Sequence, residues 1–183
     1  MPDDIILIGP IGTGKSTQGK LLSERLGLPQ IRVDRVKWTY YEEMGFDREF
    51  DEMLGNQGGR WARYQYWKAF ECAAIERILA DHSDFVIDFG GGHSVYENPE
   101  QFDRVQKALE PYPNVVLILP CPDEVEAMDI LLERKNRHRV DGQLDLNEHF
   151  IRHPSNEKLA KHTIYTKDKS PEYTRDEILA LVK

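Results

Sequence analysis

Short apolar runs recur along this chain, separated by longer stretches in which apolar positions return three and four residues apart. Ile5-Ile6-Leu7-Ile8, the alternating Gln30-Ile31-Arg32-Val33-Asp34, Phe85-Val86-Ile87-Asp88-Phe89, Asn114-Val115-Val116-Leu117-Ile118-Leu119 and Thr163-Ile164-Tyr165-Thr166 read as five strands. The fourth is almost wholly apolar, as a strand buried on both faces must be. Between them the spacing predicts helices. One contains Lys20-Leu21-Leu22-Ser23-Glu24-Arg25-Leu26 and ends at Gly27 and Pro29. Another covers 60–81, after a turn across Gly55-Asn56-Gln57-Gly58-Gly59. A third opens with Asn98 as cap and Pro99 at its first position, running to about Glu110, and a fourth opens at Pro122. A further helix breaks near Arg152-His153-Pro154, and the last is capped by Ser170-Pro171-Glu172 and runs through Val182. Strand and helix in alternation imply right-handed βαβ units: a mainly parallel five-stranded sheet covered on both faces, a three-layer α/β/α architecture.

The turn after the first strand carries the sharpest chemistry. Gly9-Pro10-Ile11-Gly12-Thr13-Gly14-Lys15-Ser16 reads Gly, four residues, Gly-Lys-Ser, the phosphate-cradling loop of P-loop nucleotide-binding proteins. Glycines let the loop curl so that successive backbone N–H groups face a phosphate, and the helix opening near Lys15 offers its positive end. Lys15 would reach the β- and γ-phosphates of ATP, and Ser16 would ligate Mg²⁺. The nucleotide-binding set is Gly9, Gly12, Thr13, Gly14, Lys15, Ser16 and Thr17. Asp88, at the end of an apolar strand, fits the carboxylate that holds Mg²⁺ through water in such proteins.

Three further features extend this site. Asp34 ends the second strand, where ligands gather in an open parallel sheet; it serves either as a catalytic or Mg²⁺-linked carboxylate or as a helix N-cap. Gly90-Gly91-Gly92 marks a place where a ligand or backbone comes close. The run Arg134-Lys135-Asn136-Arg137-His138-Arg139 is basic in an otherwise acidic chain, and its arginines suit a lid closing over triphosphate. The ten aromatic residues between Asp34 and Glu71 are assigned mainly to packing, with some left to cap a pocket.

Composition narrows the partners. A formal net charge of −8 argues against non-specific binding to nucleic acid or an anionic membrane surface. No run of 18 apolar residues or secretory layout occurs in the sequence, which makes the cytoplasm the expected compartment. Cys72 and Cys121 are expected to be reduced and structural.

Taken together, these landmarks resemble, in their order, the shikimate kinase branch of the P-loop small-molecule kinases, and more loosely adenylate and gluconate kinases. The resemblance implies one P-loop kinase domain over 1–183, with 35–82 as the acceptor-binding helical segment and 134–147 as the lid. It makes Asp34 the base or orienter for the acceptor hydroxyl and Gly90, Gly91 and Gly92 the acceptor shelf. Lys68, in Trp67-Lys68-Ala69-Phe70-Glu71, and Arg152 become the anion clamps, with lysine standing where the family has arginine. Arg32 replaces a second aspartate, Asp88 precedes the glycine triplet, and His93 follows it; these depart from the family pattern.

The function expected is transfer of the γ-phosphoryl group of Mg·ATP to an alcohol on a small molecule, shikimate or another hydroxylated metabolite or antibiotic. Lys15 and one of Arg134, Arg137 or Arg139 would supply positive charge to the transition state. The enzyme is expected to act as a monomer or homodimer. Two rivals stand beside this reading: a nucleotide-dependent switch with slow ATP hydrolysis, and a nucleoside or nucleotide kinase.

Overall fold

The computed structural model describes residues 4–136 and 145–182. Five strands, β1 (Ile5–Ile8), β2 (Gln30–Arg32), β3 (Val86–Asp88), β4 (Val115–Leu119) and β5 (His162–Tyr165), form one sheet in the order β2-β3-β1-β4-β5. All four pairings are parallel. The helices are α1 (Lys15–Leu26), α2 (Val33–Glu43), α3 (Arg48–Asp81), α4 (Pro99–Leu109), α5 (Glu124–Glu133), α6 (Leu146–Arg152), α7 (Ser155–Leu159) and α8 (Pro171–Leu181).

Strand alternation sorts the core into two layers. Ile6, Ile8, Ile31 and Ile87 face one side, where they meet Cys72, Ile75, Ile78 and Leu79 of α3 and Val105 and Leu109 of α4. Ile5, Leu7, Val86 and Val116 face the other, against Leu22 of α1 and Ile178 of α8. Both faces of β1 are thus sealed, which is why its sequence has no polar position. β1 lies between β3 and β4, so the chain after it emerges at the switch point of the sheet, where such folds bind ligands.

Three boundaries depart from the sequence expectation, the simplest being α5, which opens at Glu124 with Asp123 as its cap and not at Pro122. Residues 48–58 are helical, and the expected turn across Gly55–Gly59 narrows to Gly59 alone, at φ 65°, ψ −157°. The neighbouring glycines are there for proximity: a Cβ on Gly55 would lie 2.8 Å from Arg63 Cδ, and one on Gly58 2.6 Å from Ala62 Cβ. Asp34 is neither the end of β2 nor the cap of α2. Arg32 caps that helix, and Asp34 stands in its first turn, where a carboxylate suits the helix dipole.

α2 and α3 are joined by aromatic packing. Trp38, Tyr41, Phe46, Tyr66, Trp67 and Phe70 form one cluster, with Trp38 edge-on to Tyr41, Phe46 and Trp67 at centroid distances of 5.6 to 5.7 Å. Cys72 and Cys121 are buried free thiols. Among the described residues no helix is long and apolar enough to cross a membrane.

Candidate functional site

The loop from Gly9 to Gly14 owes its shape to three glycines at positive φ: 131° at Gly9, 91° at Gly12 and 101° at Gly14. At Gly14 a Cβ would meet nothing within 4 Å, so the backbone conformation, rather than crowding, demands glycine. Thr13 Oγ1 donates to Pro10 O at 3.1 Å, and Lys15 Nζ donates to Gly9 O at 2.7 Å and Pro10 O at 2.8 Å. The Lys15 side chain is buried in its own loop, and that burial pulls its pKa down to about 8. The loop is held ready by contacts that a phosphate would replace.

Behind the loop, Ser16 Oγ donates to Asp88 Oδ1 at 3.3 Å. Asp88 Oδ2 accepts from Gln30 Nε2 at 2.7 Å and lies 3.7 Å from Arg32 Nε, while Arg32 Nη2 donates to Ser16 Oγ at 3.2 Å. Burial raises the Asp88 carboxyl above the usual range despite these partners. Gly19 makes room for the group, since a Cβ there would sit 2.4 Å from Gln30 Nε2. A hydroxyl beside a carboxylate at the mouth of the loop is the oxygen donor set that Mg²⁺ takes, one or two protein ligands with the rest from water and phosphate. The residues therefore fit Mg·ATP.

Beside the loop opens a cavity of about 340 Å³. Ile11 forms its phosphate-side wall, Asp34 and Lys37 come from α2, Arg60, Arg63, Tyr64, Trp67 and Glu71 from α3, and Asn147 and Phe150 from α6. Burial pushes the Asp34 carboxyl upward, but His93, Lys37 and Lys15 outweigh it and hold it below the usual range. Its Oδ1 is 3.4 Å from Lys37 Nζ. Lys37 in turn lies 4.5 Å from the Trp67 ring centroid. Arg63 binds Asp51 with Nε at 2.9 Å and Nη2 at 2.5 Å, and the same carboxylate accepts from Trp67 Nε1 at 2.7 Å. Asp51 thereby fixes two cavity residues from behind.

The glycine triplet serves protein contacts as much as any ligand. A Cβ on Gly90 would lie 2.3 Å from Asp34 Oδ1, and one on Gly91 2.4 Å from Ile11 Cγ1. Gly91 and Gly92 line the cavity; Gly90 lies beneath Asp34.

Both expected anion clamps are placed elsewhere. Lys68 is 3% exposed and forms an ion pair with buried Glu71, donating also to Gly92 O at 2.6 Å and Val95 O at 2.8 Å. Those contacts use its three donors, so it braces the shelf and has none left for an acceptor. Arg152 points to solvent, 2.8 Å from Glu148 and 3.8 Å from Glu124, and does not line the cavity. Among the described residues, the cations that do line it are Lys37, Arg60, Arg63 and Lys135. Arg60-x-x-Arg63, immediately after the glycine run, was the available signal, since that spacing puts two guanidiniums on one helical face.

In the basic run, Arg134 turns toward β5, donating to Thr166 Oγ1 at 3.1 Å. Lys135 is the cation beside the loop, with a Cβ on Gly12 lying 3.1 Å from its Cε. Arg137 and Arg139 lie outside the described residues. Asn147 was not foreseen: its side chain accepts from Ile11 N at 2.8 Å and donates to Ile11 O at 2.7 Å, tying α6 to the phosphate loop. No sequence pattern marks a contact 136 residues apart.

Comparison with known proteins agrees with this fold. A shikimate kinase of Bacillus licheniformis is 26% identical over 180 residues, covering 98% of this chain and 93% of that one. Several other shikimate kinases match over about half their length. A 27-residue stretch is 70% identical to an adenylate kinase of Syntrophotalea carbinolica, 15% of this chain and 12% of that protein. In three dimensions, the shikimate kinase of Acinetobacter baumannii, solved in complex with shikimate, superposes with a TM-score of 0.66 at 21% identity, over 100% of this chain and 93% of that one. The family model described as an AAA domain matches residues 5–147. The chain thus belongs to the AAA domain family and has the P-loop kinase fold of the shikimate kinases.

Proposed function

We propose that the protein transfers the γ-phosphoryl group of Mg·ATP to an alcohol oxygen of a small hydroxylated molecule that carries an anionic group. One observation supports this above the rest: Asp34, a carboxylate kept ionised, faces the same cavity whose other wall is Ile11 of the phosphate loop. A switch that only bound and hydrolysed nucleotide would need no such second chamber.

When bound, Mg·ATP supplies the phosphoryl group and part of the charge that screens it. Phosphoryl transfer has a loose transition state with charge on the equatorial oxygens, so the protein contributes position and positive charge. Lys15 would leave the Gly9 and Pro10 carbonyls for the phosphates, and Lys135 stands beside the loop to add a second charge. Ser16 would hold Mg²⁺ directly and Asp88 through water. Asp34 orients the acceptor hydroxyl in line and accepts its proton as that oxygen bonds to phosphorus.

The acceptor's anionic group is assigned to Arg60. Arg63 is already committed to Asp51, and Lys37 to Asp34, whereas Arg60 makes no ion pair with any described residue. Shikimate has this chemistry, as do other hydroxy acids.

The test is Asp34→Asn. Acceptor-dependent turnover is expected to fall by about 10³-fold, while ATP affinity, read by calorimetry, stays within about threefold. Equal loss of both would remove Asp34 from the chemistry.

A further inference from the structure

His93 follows the glycine triplet and is 1% exposed, with nothing in the scheme above that uses it. Its backbone N–H donates to Gly90 O at 3.0 Å, a turn that folds the imidazole back over Gly90. The result is a convergence. A Cβ at Gly90 would be 2.4 Å from His93 Nδ1 and 2.3 Å from Asp34 Oδ1, so only the absence of a side chain at Gly90 lets both atoms occupy the space beside it.

The ring's other nitrogen bears on its tautomer. Nε2 lies 3.5 Å from the Tyr41 hydroxyl, whose only hydrogen-bond partner among the described residues is this nitrogen. A buried phenol must give its proton to some acceptor, and Nε2 is the one within reach. Nε2 is then unprotonated, and Nδ1 carries the hydrogen. Nδ1 is buried and has no hydrogen-bond partner among the described residues. A buried donor without a partner costs free energy, and the carboxylates whose charge acts on this ring are Glu71 and, after it, Asp34, the one to which the chemistry is assigned.

We propose that His93 is the positioning residue of Asp34: its Nδ1–H, oriented by Tyr41 and the Gly90 turn, closes onto Oδ1 with or without an acceptor, leaving Oδ2 to the acceptor hydroxyl. The proposal rests on the kinase reading for the role of Asp34, but the arrangement can be tested without any acceptor. Lys37 already approaches Oδ1 at 3.4 Å, so both donors fall on the same oxygen. The groups around the imidazole are Asp34, Lys37 and Tyr41 from α2, Lys68 and Glu71 from α3, and Tyr96, whose hydroxyl donates to His93 O at 3.0 Å. Burial outweighs the carboxylates among them and pulls the imidazole down to about 4, which keeps it neutral at neutral pH and a donor through Nδ1 alone.

The experiment is NMR on the full chain. Imidazole ¹⁵N shifts report the tautomer of His93 in the wild type and in Tyr41→Phe, and carboxyl ¹³C shifts report the titration of Asp34 in the wild type, His93→Leu and His93→Asn. The expected result is a neutral Nδ1–H imidazole in the wild type that gains Nε2–H population in Tyr41→Phe. Loss of the donor in His93→Leu should move the Asp34 midpoint up by about one pH unit. The asparagine amide puts an N–H where Nδ1 was but carries none of the charge an imidazole of pKa about 4 takes up as Asp34 titrates, so the His93→Asn midpoint should fall between those of the wild type and His93→Leu. An Nε2–H tautomer in the wild type overturns the proposal, as does an Asp34 midpoint that is unmoved in His93→Leu or moves equally in His93→Asn. If His93→Leu does not fold, the wild-type tautomer and His93→Asn still decide. Failure of the kinase reading would show instead as turnover insensitive to Asp34→Asn.

Discussion

The two ends of this site are built on different length scales. At the phosphate end the bonds that shape the loop itself are local, even though Ser16 also reaches Asp88 across 72 residues: Lys15 bonds to carbonyls five and six residues away, Thr13 to one three residues away, and the three glycines fall within six positions. At the acceptor end the constraints span the chain. Asp51 reaches Arg63 twelve residues on, Lys68 reaches Gly92 across 24, and Asn147 reaches Ile11 across 136. Binding phosphate makes one fixed demand on the backbone, whereas an acceptor pocket can be assembled from any elements the fold brings together. The two ends should therefore answer differently to substitution.

The largest effect is expected at the local end. Lys15→Ala removes the charge nearest the transferring group and should reduce acceptor-dependent ADP release by about 10³-fold, with the melting temperature unchanged or raised, since a buried ammonium is lost. A clear fall in melting temperature would mean that Lys15 also holds its loop together.

Next comes Lys68, whose placement separates bracing from binding. Lys68→Met leaves Glu71 buried beside the cavity without its partner, and denaturant unfolding should show a loss of about 3 kcal/mol. Replacing Glu71 by Leu as well should recover most of it. A Lys68→Met protein of wild-type stability with a raised acceptor KM would restore the anion-clamp role that this placement denies.

Smallest is Arg60→Ala. With a hydroxylated carboxylic acid as acceptor, steady-state kinetics should show KM raised by about tenfold and kcat little changed, because uniform binding is lost. The same change to KM with a neutral acceptor would contradict the assignment of Arg60 to the anion.

The same contrast of scales explains what could be read from the sequence. The positive-φ glycines of the loop and the five strands were legible because backbone geometry and the two-sided burial of a parallel sheet leave marks at short spacing. Lys68 was misplaced for a physical reason: a lysine three residues before a glutamate on a helix can pair with it, and burial of both makes that pairing obligatory. Arg152 kept its place in the chain order but turned to Glu148, its neighbour one helical turn back. Asp34 was read as a strand end because β2 is only three residues long and α2 begins at once. Asn147 left no local mark.

The central claim is acceptor-dependent phosphoryl transfer. Its most direct test is ADP release by the purified protein with Mg·ATP, alone and with shikimate, gluconate, other hydroxy acids, nucleosides, nucleoside monophosphates and hydroxylated antibiotics, using Lys15→Ala as the blank. The account predicts turnover that appears with one class of hydroxylated, anionic acceptor and is absent without it. ADP release at the same rate with and without every acceptor would contradict it and leave a nucleotide-hydrolysing switch.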